Sequence, residues 1–330
     1  MTAITIDLSI IIVNWNTREL LLDCLASIYR TVHRSSLEIY VVDNGSTDGS
    51  VEAVSRAFPA VTVIANAENL GFAKANNLAL KRISGRYAVL LNSDTILKES
   101  ALDQMVDFMQ HHSQAGMCGP QLLNEDGSKQ NSFGGFPTLL KEFMSKHLIR
   151  ILFPGKYRQA FKYKDAEFNA PAAVDFIVGA CMMVRKAAMD KIGMLDEDYF
   201  FLYEELDWCY RMKKGGWFVY HLPGAEIYHL GGRSMKELNL RARAESWRSR
   251  YLFFEKSLKL SASARIGFLF LGIFQNAYQF LVYTLLNVPT FFMVGRLRRR
   301  WLMFAYLLVW HARGRPFSMG IPRHGPVQRV

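Results

Sequence analysis

The stretch SIIIVNWNT, residues 9–17, decides the fold class of this chain. Its first half is short, β-branched and uninterrupted by charge, the signature of a strand buried on both faces. The run breaks at Asn14-Trp15-Asn16-Thr17, and over residues 18–29 Leu21, Leu22, Leu25 and Ile28 recur on one side of a predicted helix. The same alternation continues downstream. Residues 38–42 are predicted as a second strand, closed by Asn44-Gly45-Ser46-Thr47-Asp48-Gly49, a dense turn and helix-start signal. A helix is expected at residues 50–57, a strand at 61–65, a helix at 73–81, and a strand at 87–91 that runs into Asn92-Ser93-Asp94-Thr95. Strands spaced by helices of this length imply βαβ units, hence an α/β fold with a mostly parallel central sheet. Such sheets bind ligands beyond the carboxyl ends of their strands, and Asn14, Asp43 and Asp94 all fall there.

Farther along, residues 127–170 mix Gly, Pro, Lys and aromatics without a clear period and are expected to form an insertion or a mobile substrate loop. Order returns at 174–184, followed by a carboxylate-rich segment at 196–207. Charge divides the chain: residues 1–235 hold 24 Lys+Arg against 26 Asp+Glu, whereas 236–330 hold 16 against 3. A neutral body with a basic appendage points to nucleic acid or an anionic membrane as the partner of the appendage. Residues 266–295 carry no charged side chain and are long enough to cross a hydrocarbon core of ~30 Å. Gln275, Asn276, Gln279 and Asn287 dilute the run, and Pro289 would kink or end a helix. Arg296, Arg298, Arg299 and Arg300 follow, then a shorter apolar run at 301–310 closed by Arg313 and Arg315. Apolar runs framed by Arg and rimmed by Trp and Tyr suit a membrane interface. A phosphate-tracking groove would carry continuous charge instead, so no nucleic-acid partner is expected. Cys24, Cys118, Cys181 and Cys209 are scattered and read as buried thiols of a reducing compartment. The apolar run at 8–13 is too short for a signal-peptide core and lacks a basic leader, so the body is expected in the cytoplasm.

Four constellations could carry chemistry. In VVDNGSTDGS (41–50), Asp43 and Asn44 either accept hydrogen bonds from a nucleobase or ribose or only shape the turn, while Asp48 reads as a helix cap. In LLNSDT (90–95), Asn92, Ser93 and Asp94 offer oxygen donors to a hard cation such as Mg²⁺ or Mn²⁺, or else Ser93 or Asp94 caps a helix. In FFLYEELDWCYR (200–211), Glu204, Glu205 and Asp207 crowd among aromatics. Such crowding raises proton affinity and suits a general base, the alternative being a solvated helical turn. In IYHLGGRS (227–234), His229 could reach a metal or a phosphate, or be structural.

Together with NLGFAKANN (69–77) and VGACMMVRK (178–186), these segments resemble the inverting nucleotide-sugar transferases of glycosyltransferase family 2, and within it the rhamnosyltransferase-like branch. The resemblance runs over roughly residues 7–235 and rests on seven motifs in the right order. It implies a GT-A fold over residues 1–235, with a donor-binding half at about 1–120 and an acceptor-binding half at about 121–235. Residues 236–330 would then form a basic, hydrophobic membrane-associating helical region. It implies that Asp43, beside Asn44, contacts the base, and that Asn14, Asn16 and Thr17 form the other wall. Lys74 and Asn77 match the stretch approaching the ribose and diphosphate. Asp94 matches the last acid of the DXD-type metal motif, with Asn92 and Ser93 preceding it on the donor side. Glu204-Glu205 matches the family's Glu-Asp pair, whose second member is the catalytic base, and His229 matches a third metal contact of some relatives. Asn92 stands where many relatives carry Asp, which makes His229 more important. Glu205 stands where they carry Asp and reaches one methylene further, which leaves Glu204 or Asp207 able to share its role.

The implied activity is a metal-dependent (Mg²⁺ or Mn²⁺) single displacement from a nucleotide-sugar. The branch favours rhamnose from dTDP-rhamnose, with UDP- or GDP-hexose as the alternative. The implied acceptor is a polyprenyl-diphosphate-linked glycan of cell-envelope polysaccharide synthesis. Residues 260–315 would dock the enzyme on the cytoplasmic face of the membrane, as embedded in-plane helices rather than a full span. Packing of those helices onto the catalytic domain or into a homo-oligomer interface is the alternative. Leu297-Arg298-Arg299-Arg300-Trp301 resembles the QxxRW motif of processive synthases but lacks the Gln and follows the apolar run, so single-sugar addition is expected. A nicotinamide-dependent oxidoreductase would need a GxGxxG turn after the first strand, and a nucleotidyltransferase a Gly-rich, Lys/Arg-bearing loop there; Asn14–Thr17 is neither. A non-catalytic membrane-docked binding protein would have no need of Glu204, Glu205 and His229.

Overall fold

The run that opens the sequence forms β1 (Leu8–Asn14), and Ile10, Ile11 and Ile12 are wholly buried within it. The computed structural model describes residues 6–144, 146–161, 163, 167–231 and 240–313. Gly232, Arg315 and the expected division at 235/236 lie outside the described residues. Following β1 come α1 (Arg18–Thr31), β2 (Leu37–Asp43), α2 (Ser50–Ala57), β3 (Thr62–Ala65), α3 (Phe72–Leu80) and β4 (Tyr87–Asn92). The expected alternation is therefore observed, with ends displaced by one or two residues. Next are β5 (Thr95–Leu97), α4 (Ala101–His111), β6 (Ala115–Leu123) and β7 (Phe133–Gly134), then the short helices α5 (Leu139–Phe143), α6 (Lys146–Leu152) and α7 (Pro154–Ala160). The chain continues through β8 (Ala172–Val174), β9 (Phe176–Ile177), β10 (Cys181–Arg185), α8 (Lys186–Ile192), α9 (Glu204–Lys214) and β11 (Phe218–His229). It ends in α10 (Leu240–Lys256), α11 (Ala262–Asn287) and α12 (Gly295–Ala312).

The central sheet runs β3-β2-β1-β4-β10-β6-β11-β5, with β8 also paired to β11. Its first four strands are parallel. The second half is mixed: β10 is antiparallel to β4 and β6, while β11 is parallel to β6 and antiparallel to β5 and β8. Burial on both faces follows from period-2 alternation. Ile10, Ile12, Val89 and Leu91 pack with Leu21, Leu25, Ile28 and Met105 of α1 and α4. Ile11, Ala88 and Leu90 face the other way, against Ala75 and Ala79 of α3 and Trp208 and Met212 of α9. Asp48 is not the N-cap of α2, a position held by Gly49; its carboxylate accepts from the backbone N–H of Arg18 (2.9 Å) at the start of α1 and of Ser50 (3.1 Å) at the start of α2.

A second compact unit holds residues 137–160 and 201–203 together with the C-terminal helices. Residues 127–170, expected as an insertion or a mobile substrate loop, are partly helical, through α5–α7. Within the second unit Tyr251 of α10 hydrogen-bonds His311 Nε2 of α12 (3.1 Å) and lies over Gly272 of α11, tying three helices at one point. Arg250 pairs with Glu142 (3.0 Å) and donates to the Tyr203 hydroxyl (3.2 Å). Ser249 donates to the carbonyl of Phe201 (3.0 Å). These bonds hold a segment in which Leu202 and Tyr203 both take left-handed φ angles, of 67° and 72°.

The loop before α3 is fixed by Gly71, whose φ is +82° and whose missing Cβ would lie 2.5 Å from the carbonyl oxygen of Phe200. Gly127 has the same φ with open space around it. Gly71→Ala is therefore expected to cost about 2 kcal/mol or more in urea denaturation, and Gly127→Ala only about 1 kcal/mol, because the second lacks the clash.

Candidate active site

Three strand ends meet at one edge of the sheet, where Asn14 is in register with Asp43, and Val13 with Asn92. Asn14 Nδ2 donates to Asp43 Oδ1 (2.8 Å) and to Ser46 Oγ (3.1 Å), and the Ser46 N–H donates to Asp43 Oδ2 (2.8 Å). The Thr17 hydroxyl donates to Asn14 Oδ1 (2.6 Å) and lies 2.8 Å from Ser93 Oγ. Asp43, Asn14, Thr17 and Ser93 thus form one continuous polar chain across the strand ends, and Asn14 and Asp43 are buried in it. Fully satisfied networks of this kind hold a surface rigid.

The other donor-side candidates divide between interior and edge. Asn44 is buried, donates to Asn69 Oδ1 (3.3 Å) and the Gly71 carbonyl (3.2 Å), and accepts from Asn66 (3.1 Å), so it ties the loop before α3. Asn77 is buried too, and its amide donates to the Leu195 carbonyl (2.9 Å) and Glu197 (3.0 Å). Lys74 is half-buried and makes no ion pair among the described residues. Asn16 is exposed, with φ of 54°, and its side-chain oxygen accepts from Thr47 N–H (2.8 Å). Between Asn14 and Asn16, Trp15 is 41% exposed, an open aromatic face that the sequence signals only as one large side chain in a polar strand end.

Ser93 and Asp94 do not cap a helix. They form the two-residue turn between β4 and β5, and β5 pairs with the end of β11 so that Thr95 is opposite His229. The Leu230 N–H donates to the Asp94 carbonyl (2.8 Å). This pairing carries His229 Nε2 to 3.5 Å from Asp94 Oδ1, with both side chains largely buried. Gln130, which no motif announced, clamps the imidazole at two points. Its amide nitrogen donates to the His229 carbonyl (2.7 Å), which turns its oxygen toward Nδ1 (3.0 Å). With the Gln130 oxygen on Nδ1, Nε2 is the ring nitrogen that faces Asp94. A side chain on Gly231 would collide with the ring, its Cβ falling 2.6–3.0 Å from three ring atoms.

These residues fit a divalent cation. Two cis donors on an octahedral Mg²⁺ or Mn²⁺ lie about 3 Å apart, close to the spacing seen, and such ions commonly take one or two protein groups with the rest from substrate phosphates. Among the described residues no three His, Cys, Asp or Glu side chains gather as a self-sufficient metal cage. His221, also on β11, is no rival ligand. It is buried, with its ring 4.5 Å from that of Phe133, and burial pushes its pKa down to about 4. The four cysteines are free and buried, and burial pushes the thiols of Cys24 and Cys209 up to about 12, so none supplies a thiolate.

The carboxylate cluster opens α9, where the helix N-terminus favours negative charge. Glu204 is buried and Glu205 half-buried, with one oxygen of each sealed from solvent, which replaces the solvated-turn alternative. The Glu205 stem lies over Gly179, the position of an added Cβ being 3.5 Å from its Cβ and Cγ. The next residue, Ala180, accepts from the Asn92 N–H (2.9 Å), so Glu205 stands at the same sheet edge as the metal-type turn. Asp207 is turned elsewhere. It is buried in an ion pair with Arg211 (2.7 Å), whose guanidinium also caps the carbonyls of Ile192 and Met194.

Known proteins share this family and fold. The N-acetylglucosaminyl-diphospho-decaprenol L-rhamnosyltransferase of Mycobacterium tuberculosis is 27% identical over 216 residues, 62% of this chain and 70% of that protein. The mannosyltransferase of Pyrobaculum calidifontis in complex with GDP-Man and Mn²⁺ overlays with a TM-score of 0.55 at 17% identity, covering 94% of this chain and 87% of that one. The structure of GalNAc-T7 with UDP, GalNAc and Mn²⁺ overlays with a TM-score of 0.51 at 14% identity, covering 68% of this chain. This chain spans 43% of the GalNAc-T7 chain, so that likeness concerns the fold of the shared part alone. The family model described as glycosyl transferase family 2 matches residues 9–193, more than half of the chain, and the protein belongs to that family of GT-A glycosyltransferases.

Proposed function

We propose that this glycosyltransferase moves a deoxyhexose, rhamnose from dTDP-rhamnose, to a polyprenyl-diphosphate-linked glycan with inversion at the anomeric carbon. The observation that carries the reading is the approach of Asp94 and His229, 135 positions apart in sequence, at the edge where Glu205 also stands. In this reading residues 6–231 bind donor and acceptor, and the C-terminal helices attach the enzyme to the cytoplasmic face of a membrane. The likeness to the mycobacterial rhamnosyltransferase supports the donor, and its lipid-diphosphate acceptor supports the partner. UDP- or GDP-hexose is the second reading, supported by the nucleotides in the two fold neighbours.

Asp94 and His229 are the residues that would hold Mg²⁺ or Mn²⁺, which supplies positive charge against the negative charge developing on the diphosphate leaving group. Trp15 offers its face to the nucleobase, and Asp43, through Asn14 and Thr17, keeps that wall in place. Lys74 is assigned to the diphosphate on the strength of the motif that carries it. In the chemical step the acceptor hydroxyl oxygen bonds to the anomeric carbon while the bond from that carbon to the β-phosphate oxygen breaks. The hydroxyl proton passes to the Glu205 carboxylate. Glu204 is a neighbour that shapes the site of the base. Asp207 keeps α9 in place through Arg211 rather than taking the proton.

The long α11 supports membrane docking. The stretch 262–290 is long enough to cross a bilayer and its most apolar part has a mean hydropathy of 1.3, yet only 17% of that part is buried. Its polarity is inside out: Asn276 and Asn287 are buried and donate to carbonyls one turn back, while Phe270, Phe274, Tyr278, Leu281 and Leu285 are exposed. An outward apolar face of this kind lies in an interface.

Glu205→Gln is expected to lower transfer roughly 100- to 10,000-fold while leaving calorimetric binding of the nucleotide-sugar intact; loss of binding instead would remove Glu205 from the base role. A panel of dTDP-, UDP- and GDP-sugars with Mn²⁺ identifies the donor by turnover, and dTDP-rhamnose should lead. Gln130→Leu should weaken Mn²⁺ affinity about 10- to 100-fold in a paramagnetic-resonance titration with dTDP present, with His229→Ala at least as weak. Unchanged binding in His229→Ala would overturn the metal assignment itself.

A further inference from the structure

We propose that the α6–α7 hairpin is a second lipid-contact element, which inserts its apolar tip into an anionic bilayer surface. The inference rests on the membrane-docking reading above but on a different segment, one far from the apolar tail in sequence. The tip is formed by the end of α6 and the Phe153-Pro154-Gly155 turn into α7. Ile151 is 71% exposed and Leu152 55%, with Leu148 and Phe153 also open to solvent. Ile149 between them is fully buried, so the hairpin is anchored by one side chain and presents the others outward.

Charge identifies the occupant. From Phe143 to Lys164 the chain carries six Lys+Arg and no Asp or Glu. Arg150 and Lys156 are exposed and make no ion pair among the described residues. Lys156 Nζ lies 5.4 Å from the centre of the Phe153 ring, stationed beside the tip. An exposed apolar apex collared by unpaired cations matches the boundary between acyl chains and anionic headgroups, where long cationic side chains keep their charge in the headgroup layer. The hairpin also belongs to the same compact unit as α11, with α5 in contact with both α6 and α11. An acidic soluble protein would satisfy the cations but would leave Ile151 and Leu152 in want of an apolar groove.

The test uses the full chain and vesicles of phosphatidylglycerol mixed with phosphatidylcholine, with pure phosphatidylcholine as control. The double variant Ile151→Glu/Leu152→Glu should partition to the mixed vesicles about 10-fold or more weakly than wild type, with dTDP binding by calorimetry unchanged. Arg150→Glu/Lys156→Glu should lose affinity for the anionic vesicles only. A nitroxide on Leu152→Cys should become inaccessible to aqueous quenchers when vesicles are added; it needs no disruptive substitution, and the native cysteines are buried. If the hairpin variants partition as wild type and the spin label stays wet, while Phe270→Glu/Phe274→Glu loses binding, the hairpin proposal falls and membrane docking by α11 stands. If wild type does not partition at all, both fall.

Discussion

Everything at the sheet edge depends on one short antiparallel ladder, the pairing of β5 with the end of β11. Asp94 sits in the turn that starts β5, and His229 is the last residue of β11, so three residue pairs of register bring the two donors together. A slip of one residue would send the imidazole to the opposite face of the sheet. β11 reaches that position only by slipping its register on β6 between Leu222 and Glu226, where Pro223 and Gly224 interrupt the ladder. Pro cannot donate to a ladder and Gly tolerates the bend, so the irregularity is written into the strand that needs it.

Around that ladder the polar side chains fall into two sorts. Asn14, Asp43, Asn44 and Asn77 are interior and hold strand ends and loops to one another. Trp15 and Asn16 are left toward solvent at the same edge, and Lys74 on α3 is half-buried. A buried network with its partners in place costs little and fixes the exposed groups in one geometry, which is what a site for a flexible, highly charged donor requires. Gln130 holds the His229 ring, as Asn14 holds the Thr17 hydroxyl, in one orientation.

The first hundred residues were legible because their strands are local in sequence and buried on both faces, so apolar runs and turn signals mark each boundary. The second half of the sheet was not. β10 inserts antiparallel between β4 and β6, and β5 returns to β11, pairings of long sequence separation that leave no periodic trace. Likewise motif reading found Asp94 and His229 but could not show that Asn77 turns to Leu195 and Glu197, or that Asp207 is taken up by Arg211. Gln130 escaped because a lone glutamine in a polar loop looks like any other; only the fold sets it against an imidazole. Residues 127–170 misled for a related reason. Their apolar side chains partly face outward, so the pattern that marks a core-facing helix is blurred.

That blurring has the same physical origin as the inverted polarity of α11. A helix in water hides its apolar face and shows its polar one, and hydropathy patterns are read on that assumption. In α11 the residues that would normally face solvent, Asn276 and Asn287, are buried and bonded to their own helix, while Phe270, Phe274 and Tyr278 are exposed. The membrane docking proposed above would give that outward apolar face an apolar medium to meet. The cations then take on a definite task. Arg296, Arg298, Arg299 and Arg300 stand together at the start of α12, where they can meet headgroup phosphates while the apolar face of α11 meets acyl chains. The lipid-diphosphate acceptor proposed above would keep its reactive sugar close to that same boundary. Under the proposed docking, an enzyme held there by its own side chains would meet such an acceptor by diffusion in two dimensions instead of three, and the net +13 of the last 95 residues would bear on the encounter with substrate as well as on attachment.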